Sequence, residues 1–411
     1  MKKITAILCV TFLTMGFQTA EAQIWKKIKK KAEKRVAEKA DKKINEVLNP
    51  NKKEEEQKKK EESKKTKPVT NGKEAKVTDG ASEEIWRNYK FIPGEKVIFY
   101  DDLLTEEVGE FPSRWDLVKG GAEVARFNGE KVIIGTAKYS NRVIPLFKEK
   151  NYLSDEFTVE FDIYVDHVSK ENNNSWADYN LYLTADRYDA GSNPDVSFNL
   201  RHAVTNGHVE SYNFQIEKTP LGPLNAWHHL ALSYHKGKFK MYYDDKRIIN
   251  LPKLTIVPDI IAIDFDGHTD TDEPVQVAIK NIRIAHGGGQ MYKRILADGK
   301  YSTQGILFDT AKATLKPESY GIITKLTDMM TDNKDWRFEI VGHTDTDGET
   351  AVNLALSKKR AEAVKQALIN NGIQEERLST DGKGESEPLN ANSTPEEKAN
   401  NRRVEFILKS A

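Results

Sequence analysis

A stretch near the C-terminus, GHTDTDGETAVNLALSKKR (Gly342–Arg360), decides the fold of the last part of the chain. It follows an apolar run typical of a strand, and its second half has the composition of a helix. Asn353 and Ser357 are four residues apart and Arg360 follows three residues later, so all three share one face of that helix. Asp345 in the preceding loop and Arg360 on the helix therefore have the charges to bind the two ends of a small zwitterion.

The hexapeptide GHTDTD occurs twice, at Gly267–Asp272 and at Gly342–Asp347. Fifteen residues after Asp270 in the first copy stands Ala285, whereas the second copy has Arg360 at this spacing. The first copy is therefore predicted to be a loop of a β-sheet domain. The hexapeptide alone therefore does not predict a ligand site. The prediction depends on Asp345 being followed at fixed spacing by Asn353, Ser357 and Arg360 on one helix.

Apolar runs and helix-start signals alternate in residues 288–411, which predicts an α/β domain. We expect strands at Ile306–Phe308, Arg337–Val341, Arg377–Thr380 and Val404–Leu408, and helices at Lys316–Met330, at Thr350–Asn371 and from Thr394.

A set of residues at fixed spacings runs through this domain: Phe308, Asp309, Gly342, His343, Thr344, Asp345, Gly348, Asn353, Leu356, Ser357, Arg360, Asn401, Arg402 and Arg403. With these residues, the region from Gln304 to Lys409 closely resembles the OmpA-like peptidoglycan-binding domain. The resemblance implies that the ligand is the zwitterionic end of meso-diaminopimelate in the peptide stem of peptidoglycan.

The resemblance also implies a role for each matching position. Asp345 would receive the ligand ammonium, and Arg360 would bind its carboxylate with two parallel hydrogen bonds. Thr344, Asn353 and Ser357 are expected to complete the ligand site. The supporting residues are Phe308, Asp309, Gly342, His343, Gly348, Leu356, Asn401, Arg402 and Arg403. The alternative is structural, with Asp345 forming a turn or helix cap and Arg360 a surface ion pair.

Short alternating segments fill the region from Glu95 to Ala285, bounded by Gly, Pro, Asn and Asp. Phe157–Asp166, for example, alternates apolar and polar residues, which predicts a two-sheet antiparallel sandwich. Phe99–Trp115 and Asn225–Asp245 resemble segments of concanavalin A-like and laminin-G-like jelly rolls. We expect this domain to span residues 91–287, since consecutive glycines follow it. Its expected partner is a carbohydrate or an envelope protein.

Glycoside hydrolases with a related fold place acids in an E-x-D-x-x-E strand. Glu160 and Asp162 match its first half, but Val165 stands in place of the second glutamate. Without a paired acid, retaining hydrolysis is not expected, and we interpret these acids as a solvated sheet face. The chain is therefore predicted not to be an enzyme. The alternatives are a wall-anchored glycan hydrolase and a spacer whose sandwich binds nothing.

Aspartates near the ends of the sandwich suggest one candidate metal site. Asp101 or Asp102 near the first strand and Asp264 or Asp266 near the last offer oxygen ligands of the kind that calcium prefers. Such acids are more often turn residues. No other cofactor is expected.

Residues 1–22 have the order of a secretory signal peptide: two lysines, an apolar run and Ala20-Glu21-Ala22. The apolar run, Ile4–Phe17, is shorter than the roughly 20 residues that a spanning helix needs. The single cysteine, Cys9, lies inside this run, so neither a lipid anchor nor a disulfide is expected in the mature protein. We expect export to the periplasm of a Gram-negative bacterium, in association with peptidoglycan and the outer membrane.

Charge is distributed unevenly along a chain whose formal net charge is zero. Residues 23–80 hold 20 Lys and Arg against 11 Asp and Glu, and the rest of the chain is acidic. Residues 23–49 repeat apolar residues every three or four positions, which predicts a basic amphipathic helix. This helix either self-associates or lies on an anionic membrane surface. Residues 50–90 are expected to form a charged disordered linker, and no nucleic-acid partner is expected.

Overall fold

The computed structural model describes residues 89–149, 151–166, 176–184, 196–202, 208–211, 221–254, 256–268 and 275–410. The expected signal peptide at 1–22, the basic helix at 23–49 and residues 50–88 of the charged linker lie outside the described residues. In the described part of the chain, no helix is both long enough and apolar enough to span a bilayer.

The first described part is built of strands. They are β1 (Lys96–Asp101), β2 (Trp115–Lys119), β3 (Ala122–Phe127), β4 (Glu130–Gly135), β5 (Asn141–Pro145), β6 (Glu156–Val165), β7 (Trp176–Thr184), β8 (Val196–His202), β9 (His208–Glu210), β10 (Ala226–His235), β11 (Lys238–Tyr243), β12 (Lys246–Leu251), β13 (Ile260–His268) and β14 (Val277–His286).

These strands form two antiparallel sheets, as the alternating sequence predicts. The first sheet has the order β12-β11-β10-β6-β14-β4-β3, and β1 pairs with the end of β14 next to His286. The second sheet has the order β2-β5-β13-β7-β8-β9. Apolar side chains of both sheets, such as Phe161 and Phe198, belong to one buried cluster. The first GHTDTD copy begins inside β13, so the prediction of a loop is wrong for Gly267 and His268.

The outer face of β6 is buried, which corrects the expectation of a solvated sheet face. Thr158 is fully buried and Glu160 is 4% exposed. The reason is a segment that no local pattern places there: the chain from Tyr89 to Gly94 crosses this face. Tyr89 packs edge-on against Tyr242 of β11, and the Gly94 amide donates to Thr158 Oγ1 at 2.8 Å.

The C-terminal part alternates strands and helices. Its strands are β15 (Lys300–Thr303), β16 (Arg337–His343), β17 (Leu378–Gly384) and β18 (Val404–Ser410), its α-helices are α1 (Met291–Asp298), α2 (Tyr320–Asp332), α3 (Thr350–Asn370) and α4 (Pro395–Asn401), and 3-10 turns lie at Pro317–Ser319 and Glu375–Arg377.

The four strands of this part form one sheet of order β15-β18-β16-β17, in which β16 and β17 run parallel. The sheet has its own apolar core, which includes Phe338 and Phe406. The strand expected at Ile306–Phe308 is wrong, because Phe308 makes only one isolated bridge, to Leu315. The edge strand β15 was not predicted.

The two folded parts pack against each other through the segment Tyr89–Gly94. A Cβ atom on Gly321, in the first turn of α2, would lie 2.3 Å from the carbonyl oxygen of Phe91. A Cβ atom on Gly305 would lie 2.5 Å from Pro93 Cγ. Glycine at these two positions therefore allows the C-terminal part to lie directly on the segment.

Candidate functional site

Asp345 lies in the loop between β16 and α3, where the sequence pattern places it. Its Oδ1 accepts a hydrogen bond from the Asp347 amide at 3.2 Å, which closes a short turn. The neighbouring Thr344 anchors the loop, because its amide donates to the Gly384 carbonyl at 2.9 Å. The Thr344 hydroxyl is buried and has no hydrogen-bond partner among the described residues.

Asn353, in the first turn of α3, binds the backbone of the Asp345 loop. Its Nδ2 donates to the carbonyl oxygens of Asp345 at 3.4 Å and Asp347 at 3.1 Å. The same nitrogen donates to Glu385 Oε2 at 2.6 Å. Gly348 in this loop has a φ of +98°, which favours glycine. Asn353 therefore faces the loop backbone rather than an open ligand space.

Helix α3 lies unusually close to the sheet because glycines face it. A Cβ atom on Gly342 would lie 2.2 Å from the Ser357 carbonyl oxygen, and one on Gly382 would lie 2.4 Å from the backbone nitrogen of Lys358. Ser357 is fully buried at this contact. Its hydroxyl donates to the Leu354 carbonyl and accepts from the Gly384 amide, both at 2.9 Å. Ser357 thus joins the helix to the sheet.

Arg360 lies on α3 about one turn after Ser357, just beyond the close contact between the helix and the sheet. Its Nε donates to the Lys312 carbonyl at 3.0 Å, and its Cζ lies 4.9 Å from the centre of the Phe308 ring. Asp309 shapes the turn that presents this carbonyl, since its own carbonyl accepts from the Lys312 amide at 3.0 Å. Nε is the one nitrogen of the Arg360 guanidinium that donates a hydrogen bond within the described residues.

A second arginine, Arg402, directly contacts the Asp345 carboxylate. Its Nη1 donates to Asp345 Oδ2 at 2.6 Å, and the Asp345 side chain is 13% exposed. Burial lowers the pKa of Arg360 to about 10; the charge of Arg402 lowers it too, and the charge of Asp345 opposes both. The three side chains therefore form one electrostatic cluster with a net charge of +1 at neutral pH.

His343 and Arg403 lie beneath the site. Burial lowers the pKa of His343 to about 4, with a further contribution from the charge of Arg403. Arg403 Nε donates to Glu405 Oε1 at 2.8 Å. Burial alone would raise the pKa of Glu405, but this contact keeps it below its usual value. The floor is thus a neutral imidazole beside a buried ion pair.

Asn401, fully buried at the end of α4, shapes the rim of the site. Its Oδ1 accepts from the amides of Leu389 at 2.8 Å and Asn390 at 3.2 Å. Its Nδ2 donates to Asn392 Oδ1 at 3.1 Å. The rim contacts the Asp345 loop, because Asn392 Nδ2 donates to Thr346 Oγ1 at 2.6 Å.

The structure places Asp345 in the loop before α3 and Arg360 on α3, at the positions in the fold that the sequence predicts. It places Asn353 and Ser357 in internal contacts, and Leu356 on the same helix is half-buried. Sequence reasoning assigned Arg402 a supporting role and did not foresee its ion pair with Asp345. The charge of Arg402 was the available sign of an ion pair, and it does not distinguish Arg402 from other arginines.

Two of the four aspartates considered for calcium, Asp101 and Asp264, are engaged in contacts within the protein. Asp101 accepts hydrogen bonds from Trp115 Nε1 at 2.7 Å and the Leu103 amide at 2.9 Å. Asp264 lies in the other sheet and forms an ion pair with Arg142 Nε at 2.9 Å. Among the described residues, no group of three or more acids, histidines or cysteines is arranged to hold a metal.

The acids considered for hydrolysis are also engaged within the protein. Glu160 Oε1 accepts from Arg283 Nη1 at 2.6 Å. Asp162 accepts from His229 Nδ1 at 2.8 Å and from Asn281 Nδ2 at 2.6 Å. Burial alone would lower the pKa of His229, but the hydrogen bond to Asp162 raises it to about 9. Both carboxylates are therefore engaged in contacts within the protein.

The model of the OmpA family matches residues 307–402. Outer membrane porin F of Pseudomonas fluorescens is 42% identical over 105 residues, which cover 26% of this chain and 32% of the porin. The peptidoglycan-binding protein ArfA of Mycobacterium tuberculosis is 36% identical over 103 residues, which cover 25% of this chain and 32% of that protein. The chain thus spans about a third of the length of these two relatives. Their names describe a porin and a peptidoglycan-binding protein.

A solved structure of the peptidoglycan-associated lipoprotein from Burkholderia pseudomallei is also similar. It is 25% identical, with a TM-score of 0.25, and the match covers 26% of this chain and 89% of that one.

Proposed function

The C-terminal part of this chain is an OmpA family domain, and on that premise we propose that the chain binds peptidoglycan noncovalently and acts as a tether in the bacterial envelope. The relative ArfA is named as a peptidoglycan-binding protein and shares this domain. Each domain would hold the wall weakly, and many copies along one wall would give firm attachment through multivalency.

The proposed ligand is the zwitterionic end of diaminopimelate in the peptide stem. One observation supports this assignment: Arg402 Nη1 holds the Asp345 carboxylate at 2.6 Å, the Asp345 side chain stays 13% exposed, and Arg360 lies on the helix that follows the Asp345 loop. The acid can bind the ammonium and the arginine the carboxylate of one small zwitterion. The terminal nitrogens of Arg360 are the ones left to form two parallel bonds, since Nε is used by Lys312.

The remaining proposed ligand residues divide into two kinds. The buried hydroxyl of Thr344 has no partner among the described residues, which supports a direct ligand contact because buried polar groups are normally bonded. Asn353 and Ser357 are engaged with the protein itself. We assign these two a positioning role: Asn353 for the Asp345 loop and Ser357 for the helix that carries Arg360.

Co-sedimentation with purified peptidoglycan tests the proposal. Asp345→Ala and Arg360→Ala should each weaken pelleting about 10-fold or more, because a hydrogen bond to a charged group contributes roughly 1.5–3 kcal/mol. The matched controls are Asp328→Ala and Arg337→Ala, which remove exposed charges elsewhere in the domain. Unchanged pelleting of both site variants would overturn the assignment.

Competition by small molecules tests the ligand chemistry separately. Free meso-diaminopimelate should release the chain from peptidoglycan, whereas cadaverine, a diamine without carboxylates, should not. Equal competition by the two compounds would show that Arg360 does not bind a ligand carboxylate.

For the rest of the chain we propose an exported envelope protein with the domain limits expected from sequence. Residues 91–287 would be a concanavalin A-like jelly roll that engages a glycan or an envelope protein. The basic residues 23–49 would contact an anionic membrane surface, placing the chain in the periplasm between the wall and the outer membrane. Turnover of a polysaccharide by the chain would favour the hydrolase alternative.

A further inference from the structure

The first folded part of the chain reaches the candidate site through its edge strand. Strand β1 pairs with β14 on one side, and helix α4 of the C-terminal part lies against it. Glu396 on α4 accepts a hydrogen bond from the Tyr100 amide at 2.9 Å. Arg114, which follows β1, forms an ion pair with the same Glu396 carboxylate. These contacts fix the backbone at Tyr100 relative to the end of α4.

The side chain of Tyr100 lies against Arg402, the arginine that binds Asp345. The Arg402 Cζ is 5.1 Å from the centre of the Tyr100 ring, within the range of a cation–π contact. From the same guanidinium, Nη1 donates to Asp345 Oδ2. Tyr100, Arg402 and Asp345 thus form a continuous chain of contacts from the β-sheet part to the proposed ligand site.

The electrostatics agree with this geometry. Burial alone would lower the pKa of Arg402, but Tyr100 and Asp345 together raise it above its usual value. Burial raises the pKa of Tyr100, and the charge of Arg402 partly opposes that increase. Because the pKa of Tyr100 is raised, its phenol is neutral at neutral pH, so Arg402 pairs with the Asp345 charge and contacts the uncharged ring face of Tyr100.

We propose that Tyr100 is a positioning residue of the peptidoglycan site: it holds Arg402 in the orientation that fixes the Asp345 carboxylate for the ligand. The inference rests on the proposed function and deepens it. A carboxylate held in place before binding loses less side-chain freedom when the ligand arrives. The affinity of the C-terminal part for its ligand is therefore set partly by a residue that belongs to another domain.

The test measures peptidoglycan binding of the full chain with variants of Tyr100. Tyr100→Leu keeps an apolar side chain but removes the aromatic face, and it should weaken binding about 3- to 10-fold. Tyr100→Phe keeps the aromatic ring face and should retain nearly all of the affinity for peptidoglycan. The control is Tyr139→Leu, which removes the ring of an exposed tyrosine that also lies near a cation, Lys138, but belongs to a different strand connection.

A double substitution separates positioning from a general loss of structure. If Tyr100 acts through Arg402, then Tyr100→Leu should cause no further loss in a chain that already carries Arg402→Ala. Thermal unfolding of each variant reports whether the fold is retained. Binding of Tyr100→Leu equal to the unsubstituted chain, or losses that simply multiply, would overturn the inference. If Tyr100→Leu and Asp345→Ala both bind peptidoglycan normally, the proposed function itself is wrong. If Tyr100→Leu binds normally but Asp345→Ala binds weakly, only the role proposed for Tyr100 is wrong.

Discussion

Asn400 pairs its side-chain amide with the backbone of Val97 as a neighbouring strand would. Its Oδ1 accepts from the Val97 amide and its Nδ2 donates to the Val97 carbonyl, both at 3.0 Å. A side chain on α4 therefore occupies the open edge of β1, where unpaired backbone groups would otherwise face solvent. One asparagine thus joins two differently folded parts of the chain.

Removing this pairing should loosen the joint between the two parts. We expect Asn400→Ala to lower the free energy of unfolding by about 1–3 kcal/mol, because two partly buried hydrogen bonds to the edge of β1 are lost. Hydrogen exchange gives the sharper measurement, since the Val97 amide should exchange faster in the variant. The control is Asn370→Ala, at an exposed position at the end of α3. An unchanged exchange rate at Val97 would contradict the pairing.

The close contact between α3 and the sheet should not tolerate a methyl group at Gly342. A Cβ atom there would lie 2.2 Å from the Ser357 carbonyl oxygen, which belongs to the helix backbone and cannot rotate away. Gly342→Ala should therefore destabilise the protein by about 1–3 kcal/mol, the usual cost of overpacking. Urea unfolding measures this change.

The same substitution should also weaken peptidoglycan binding, because moving α3 displaces Arg360 from the Asp345 loop. The control is Ser379→Thr, which adds a methyl group at an exposed position of β17. If Gly342→Ala is as stable as Ser379→Thr, the helix is not held at the distance the structure shows.

Asp266 in β13 should make stability depend on pH. Burial raises the pKa of Asp266 to about 6, and the charges of Asp178 and Asp264 add to the effect. The folded state therefore favours the protonated acid, whereas the unfolded state ionises near its ordinary pKa of about 3.8. Stability from this group is present below about pH 3.8 and is lost as pH rises through about 6.

Asp266→Asn removes this ionisation and should stabilise the protein at pH 7.5 by about 1–2 kcal/mol, after allowance for partial solvent exposure. At pH 4 the substitution should change little. Thermal unfolding at both pH values measures the difference, with the exposed Asp155→Asn as control. A gain of the same size at pH 4 would show that ionisation is not the cause.

Local patterns predicted much of the C-terminal part. Helix α3 begins at Thr350 and ends at Asn370, within one residue of expectation. The capping signal at Thr394 was also correct, because its Oγ1 accepts from the Glu397 amide at 3.2 Å. Such features depend on neighbours in sequence, so periodicity and capping residues are enough to find them.

Features that depend on distant residues were missed for the same reason. The alternation in β6 correctly placed Phe161 in the core, but nothing near Glu160 indicates that Tyr89 and its neighbours cover the other face. The ion pair of Arg402 with Asp345 joins residues far apart in sequence. Which residues meet when they are far apart in sequence is a property of the packed fold, and a single sequence carries no local signal for it.

The buried segment from Tyr89 to Gly94 has a mechanical consequence for a tether. In the proposed tether, tension applied at Tyr89 and resisted by the proposed wall contacts at Asp345 and Arg360 would act on this segment. The segment lies between one sheet and helix α2, and Gly94 is bonded to Thr158 and to Arg283 Nη2 at 2.6 Å. Tension would therefore load the joint between the two folded parts before it loaded either core.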